Sequence, residues 1–333
     1  MEKRHYGAID GLKSIAAIGI VMMHMTANNK YNISGFIYNN IIPSFTNFVF
    51  LFMVLSAFGM CCGYYKKIIE NKISISDFYS KRIKKIFPFF TVLVLLDLLI
   101  SPSIDSLYEA FADLTLMFGL LPGAGNISVI GVGWFLGLIF VFYLCFPFFC
   151  FLIENKKRAW TAFAISVIYN FVCSQYFNVG RTNILYCACF FLAGGLAFLY
   201  KDEIYSNVNK YIALCGIGLA VFLHYFIGGN PGTWLLVSLT LMIYAILASP
   251  KGILQNKCMS FISNISLEIY LSHMLIFRVI EKLNLNNMFG TGWLQYFITV
   301  VVVLSGTIVF AFIMQRLIKE GNNRLKNYEN SND

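Results

Sequence analysis

The sequence predicts an all-α, polytopic membrane protein, and three observations carry that expectation. Hydrophobic residues make up 58% of the 333, aromatic residues 17% and charged residues only 12%, with a mean hydropathy of +0.70. Apolar stretches of about 20 residues, enough for a helix to cross a ~30 Å hydrocarbon core, recur along the whole chain. No polar stretch is long enough to build a separate core, so residues 1–333 read as one integral domain.

Ten stretches of this kind are expected as spans. The first, near 8–27, follows Lys3 and Arg4 as a signal peptide would, but no small-residue cleavage site follows Met22, Met23 and His24, so it reads as a retained span. The second lies near 43–65. The loop after it, from Lys66 to Phe87, mixes lysines with Ile68, Ile69, Ile73, Ile75, Phe78, Ile83 and Ile86, as an interfacial helix would. The third span is placed near 86–103. The next loop, Ser101 to Gly133, holds no Lys or Arg, only Asp105, Glu109 and Asp113. Its first half has amphipathic helical spacing around Leu107 to Leu121, and its second half, with Pro122, Gly123, Gly125, Gly131 and Gly133, reads as flexible, so an outer lid or re-entrant piece is expected. Further spans follow near 134–153, 159–177, 183–200, 211–228, 232–249, 260–280 and 292–317.

Charge tests this order. With the N-terminus inside, the inner pieces hold twenty Lys and Arg and the outer pieces four, Lys30, Arg181, Arg278 and Lys282, with Lys13 inside the first span. That asymmetry follows the positive-inside rule and places both termini in the cytoplasm. The net charge of +9 does not point to nucleic acid, because the basic residues stand in short clusters at the ends of apolar stretches, where they set orientation and meet anionic lipid headgroups. The nine cysteines fall almost entirely within apolar runs without metal-ligand spacing, so neither a disulfide framework nor a metal site is expected.

Four constellations carry candidate chemistry. Lys13 and His24 lie eleven residues apart in the first span, which returns to nearly the same helix face about 16 Å further along. Ionisable groups within a membrane helix cost at least ~2.5 kcal/mol on insertion scales and usually face a cavity, a partner or a reaction path. The plainer alternative is an Asp10–Lys13 pair at the inner boundary with His24 reaching outer headgroups. Arg82 and Lys85, one turn apart before Pro88, suit phosphate oxygens at the inner face, or serve as a plain membrane anchor. Ser56 with Ala57, and Trp134 through Tyr143 to Pro147, are each ordinary as a close helix contact and an aromatic belt. In the ninth span, Tyr270 and His273 share a face at i,i+3, and Glu268 with Ser272 at i,i+4, which fits a site or a structural interhelical network.

Taken in order, these pieces resemble the membrane-bound acyltransferase family 3, over nearly the whole chain. The family pattern is similar to an Asp-Gly-Leu-Arg opening with a histidine eleven residues after the arginine, a Leu-Ser-Gly-Phe-like second helix, Arg-x-x-Arg before Pro, a Trp-x-Leu to Tyr to Pro stretch, and a late Ile-Ser-x-x-Ile-Tyr-Leu-x-His. Those elements fall here on Lys13 and His24, Ser56 with Ala57, Arg82 and Lys85, Trp134 with Tyr143 and Pro147, and His273. Lysine stands for arginine at 13 and 85, which keeps charge but loses the bidentate fork. Ala57 stands for glycine, and Ile139 occupies a position where related O-antigen acetylases often carry glutamate.

The resemblance implies transfer of an acetyl or other short acyl group from cytoplasmic acyl-coenzyme A, a donor substrate and not a bound cofactor, to a hydroxyl of a cell-envelope carbohydrate or lipid-linked sugar beyond a bacterial cytoplasmic membrane. His24 would act as general base or carry the acyl group briefly, with general base favoured. Arg82, Lys85 and Lys13 would hold the donor, Trp134 would stack on a sugar, and Tyr270 and His273 would orient the acceptor or polarise the thioester carbonyl. Asp10, Ser56, Tyr143 and Glu268 are expected to support them. The rival classes are a proton-coupled carrier or flippase, since aligned intramembrane ionisable groups also build proton relays, and a scaffold or receptor within an envelope-synthesis complex.

Overall fold

The computed structural model describes residues 6–116, 118–120, 132–249 and 252–332, and among these every regular element is helical. In chain order the helices are α1 (Gly7–Asn28), a long helical run α2 (Ile37–Ile69), α3 (Ile75–Ile100), α4 (Ile104–Leu114), α5 (Trp134–Glu154), α6 (Lys156–Gln175), α7 (Ile184–Leu199), α8 (Lys201–Asn207), α9 (Lys210–Ile227), α10 (Pro231–Ala248), α11 (Lys257–Asn264), α12 (Ser266–Lys282) and α13 (Trp293–Asn332). Each of the ten apolar stretches holds a helix. Among the described residues six helices, α1, α2, α5, α9, α10 and α13, are long and apolar enough to cross a membrane by themselves, and the number reaches eight if the bent pairs α7–α8 (63°) and α11–α12 (70°) each make one crossing. The other two stretches hold α3, which carries Lys81, Arg82, Lys84 and Lys85 early in its length, and α6, which opens on Lys156, Lys157 and Arg158.

Local sequence chemistry explains where the helices start. Asparagine caps recur: Asn155, Asn183, Asn209, Asn230 and Asn256 each accept a hydrogen bond from a backbone N–H of the first turn of α6, α7, α9, α10 and α11. Ser74 caps α3 by accepting from the Asp77 N–H at 2.9 Å, so the interfacial piece expected before the third span is the first part of one helix that continues through Pro88. Ser103 caps α4 in the same way, and α4 is an amphipathic helix between the third and fourth spans, though it ends at Leu114 and not near the expected Leu121. The glycine-rich segment from Pro122 to Gly131 lies outside the described residues.

Small residues let α1 sit at the centre, packed on α2, α10, α11, α12 and α13. At Gly11 a Cβ would stand 2.4 Å from the Leu254 carbonyl oxygen, so only glycine permits that approach. By contrast α9 turns Tyr211, Ile212, Leu219, Phe222, Phe226 and Ile227 outward, a continuous apolar surface suited to lipid tails.

Candidate active site

The bundle holds a cavity of about 280 Å³ bounded by α1, α2, α3, α5, α11 and α12. Lys13, Ser56, Arg82, Lys85, Tyr143, Glu268 and Tyr270, drawn from all four constellations of the sequence, line it together. Arg82 donates to the Tyr64 hydroxyl at 2.6 Å, and its guanidinium carbon lies 4.6 Å from the Tyr64 ring centroid and 5.9 Å from that of Tyr143. Its Nε is buried with no hydrogen-bond partner, so the guanidinium keeps donor capacity in reserve. Ser56 meets the Tyr143 hydroxyl.

Acidic groups do not cancel this charge. Asp10 stands 3.9 Å from the Lys13 ammonium and accepts from the Ser263 hydroxyl at 2.9 Å, which makes it a support for Lys13. The Glu268 carboxylate accepts from Gln315 Nε2 at 2.6 Å. The start of α12 adds further positive potential. Residue 265 is isoleucine and gives no side-chain cap, unlike the asparagines that open five other helices, and Ser266, Leu267 and Glu268 of the first turn border the cavity. First-turn N–H groups without a cap attract oxygen ligands.

The cavity ends on three rings, Phe52, Phe135 and Tyr270, and the histidines lie past them along α1 and α12. His273 is fully buried, its ring 6.2 Å from Tyr270 and 4.9 Å from His24 at an interplanar angle of 47°. Its Nδ1 lies 3.2 Å from the Ile269 carbonyl oxygen, which assigns the proton to Nδ1 and leaves a lone pair on Nε2, and that Nε2 has no partner. His24 is partly buried against it, so its ring faces the protein and not lipid. The Tyr270 hydroxyl is committed, donating to the Val132 carbonyl at 2.6 Å.

One residue of this region escaped sequence reasoning. Arg181, just before α7, donates to the Thr46 hydroxyl, lays its guanidinium 5.3 Å from the Trp134 ring centroid, and is close enough for its charge to act on both His24 and Tyr270. No carboxylate pairs with it among the described residues. A signal was present, since Arg181 is one of only four cations outside the twenty expected at the inner face and Lys13, but it served only to orient the chain.

The family model for an acyltransferase domain, Acyl_transf_3, matches residues 6–314. The chain belongs to the acyltransferase 3 family. No match to a curated protein or to a solved structure was found. The family match runs from the start of α1 into α13 and so takes in every residue of the candidate site except Gln315. For this acyltransferase the arrangement offers two distinct chemistries in line: a cationic basin with the unpartnered Arg82 Nε–H at one end, and a pair of imidazoles with an available lone pair at the other.

Proposed function

We propose that the protein carries a short acyl group from acyl-coenzyme A at the cytoplasmic face of a bacterial cytoplasmic membrane to a hydroxyl of a cell-envelope carbohydrate on the other side. The observation that carries this reading is the alignment of a basic cavity with a histidine pair: α1 supplies Lys13 and His24, and α12 supplies Glu268 and His273, in the same order from one end to the other. Arg82, Lys85 and Lys13 take the donor's phosphates and carbonyls, because fixed cations and multiple N–H donors suit anionic oxygens. The thioester end reaches the three rings. His24 removes the proton of the acceptor hydroxyl as its oxygen attacks the thioester carbonyl carbon. The C–O bond forms, the C–S bond breaks, and the proton passes from His24 to the departing sulfur, releasing free coenzyme A. His273, with its Nδ1–H fixed on the Ile269 carbonyl, turns Nε2 toward the reacting groups, and the Arg181–Trp134 pair offers the sugar a face to stack on.

Acyl-group incorporation into surface polysaccharide tests the reading. His24→Ala, at equal membrane abundance, is expected to lower incorporation by about 100-fold or more, the usual scale for losing a positioned proton acceptor. Unchanged incorporation would remove the basis for the mechanism and favour a scaffold. Solute movement without any acyl transfer would favour a carrier.

A further inference from the structure

Thr46 in the first part of α2, Trp134 at the start of α5 and Arg181 just before α7 come together at the end of the bundle that the charge count assigns to the outside. All three are partly exposed, so they stand outside the sealed core. The Arg181 guanidinium donates to the Thr46 hydroxyl and rests 5.3 Å from the Trp134 ring centroid, two neutral partners that fix its place without matching its charge. Arg278, another outer cation, has the Asp97 carboxylate 3.3 Å away. Among the described residues no carboxylate forms an ion pair with Arg181, and the stretch 121–131 contains neither Asp nor Glu. The place of this cation bears on the chemistry, because it is close enough for its charge to act on His24. When His24 takes the proton of the acceptor hydroxyl, a second positive charge arises near the first, and like charges repel. A negative group held on Arg181 removes that opposition.

We infer that Arg181, seated on Trp134, binds an anionic group of the acceptor, so that the glycan acylated is an acidic one bearing carboxylate or phosphate; this rests on the acyl-transfer reading above. A guanidinium suits either group, because its planar fork of N–H donors matches two oxygens at once. The indole takes the sugar ring while the fork takes its charge. A neutral glycan leaves the cation unmatched and the repulsion on the protonated His24 in place. Anionic lipid headgroups offer the same oxygens, and they are the competing source of the charge.

Envelope glycan from cells that carry the protein is stripped of esters with mild base and divided by anion exchange into neutral and acidic fractions. Each fraction is given to the full chain in phosphatidylcholine nanodiscs with radiolabelled acetyl-, butyryl- or succinyl-coenzyme A. Label is expected in the acidic fraction at about 10-fold or more above the neutral one, the scale of a charge-assisted hydrogen bond. Arg181→Gln is expected to raise KM for the acidic fraction by about 10-fold or more with a smaller change in kcat, and Arg181→Lys to recover part of that loss. The wild-type fractions decide even if Arg181→Gln fails to fold. Equal labelling of the two fractions overturns the inference and leaves acyl transfer standing. Labelling of neutral glycan that appears only once phosphatidylglycerol is added to the nanodiscs also overturns it, by assigning the anion to a lipid. An Arg181→Gln variant that loses kcat at an unchanged KM overturns it too, by making the arginine a structural strap. Absence of label in both fractions from every donor overturns the acyl-transfer reading itself, and this inference with it.

Discussion

His273 Nε2 is a buried ring nitrogen with nothing to bond, in a residue that is 0% exposed. An unmet buried polar group costs about 1–3 kcal/mol, so stability alone gives no reason to keep it. His273→Phe separates the two roles. The variant is expected to unfold at the same or a higher temperature in detergent, because the orphan is replaced by an apolar ring of similar size, while acyl incorporation falls by about 10-fold or more. A variant that loses stability and keeps its specific activity would make His273 a packing residue. At this scale much of the site was legible in the sequence. The Lys13–His24 spacing marked one helix face, and both side chains do turn toward α11 and α12, Lys13 into the cavity and His24 onto His273. What spacing could not reveal is contact between residues on different helices. The His24–His273 pair, the Arg82–Tyr64 hydrogen bond and the place of Arg181 over Trp134 all depend on tertiary packing and leave no local pattern.

The helices themselves were readable because hydrophobic length and asparagine or serine caps act locally, whereas breaks were not. The stretch near 260–280 reads as one helix, but it bends by 70° where Ile265 leaves the helical path, with no proline or glycine to announce it. α3 shows the opposite error: its charged first half reads as a surface piece and its apolar second half as a span, while the backbone is one helix from Ser74's cap onward. α4 gives a prediction that belongs to an element. Asp113 lies on α4, outside the candidate spans, and is 1% exposed with Oδ1 unpartnered. Burial, then the neighbouring Glu109 and Asp97, pushes its carboxyl up to about 7, and the Asp97 carboxylate is itself paired with Arg278 at 3.3 Å. An acid raised in the docked state from its ordinary value of about 3.9 binds more protons docked than undocked. Its contribution to docking is therefore complete below pH of about 4 and is lost as pH rises through about 7. Hydrogen exchange across residues 104–114, corrected for intrinsic rates, is expected to show more protection at pH 5 than at pH 8, and Asp113→Asn is expected to flatten that dependence. Equal protection in the unaltered protein at both values would show that the carboxyl does not govern docking.

For the whole molecule, orientation decides whether the cationic basin can meet a cytoplasmic donor. The count of twenty cations against four gives a concrete expectation. A fluorescent reporter that matures only in the cytoplasm should be bright when fused after residue 320 and dark when fused after Asn29 or Gly180. The reverse pattern would put the basin on the wrong side and end the coenzyme A reading. The outward apolar surfaces of α9 and the enclosed ones of α2 and α7 divide the bundle into an outer apolar skin and an enclosed interior, and Tyr270 and His273 belong to the interior. One feature of that interior ties its two ends mechanically. Glu268 and His273 ride on the same unbroken helix, five residues or about 7.5 Å apart along its axis, beyond the elbow at Ile265. A guest that presses on the first turn of α12 therefore works a stiff lever, and the aim of the distant imidazole is set by whatever occupies the near berth.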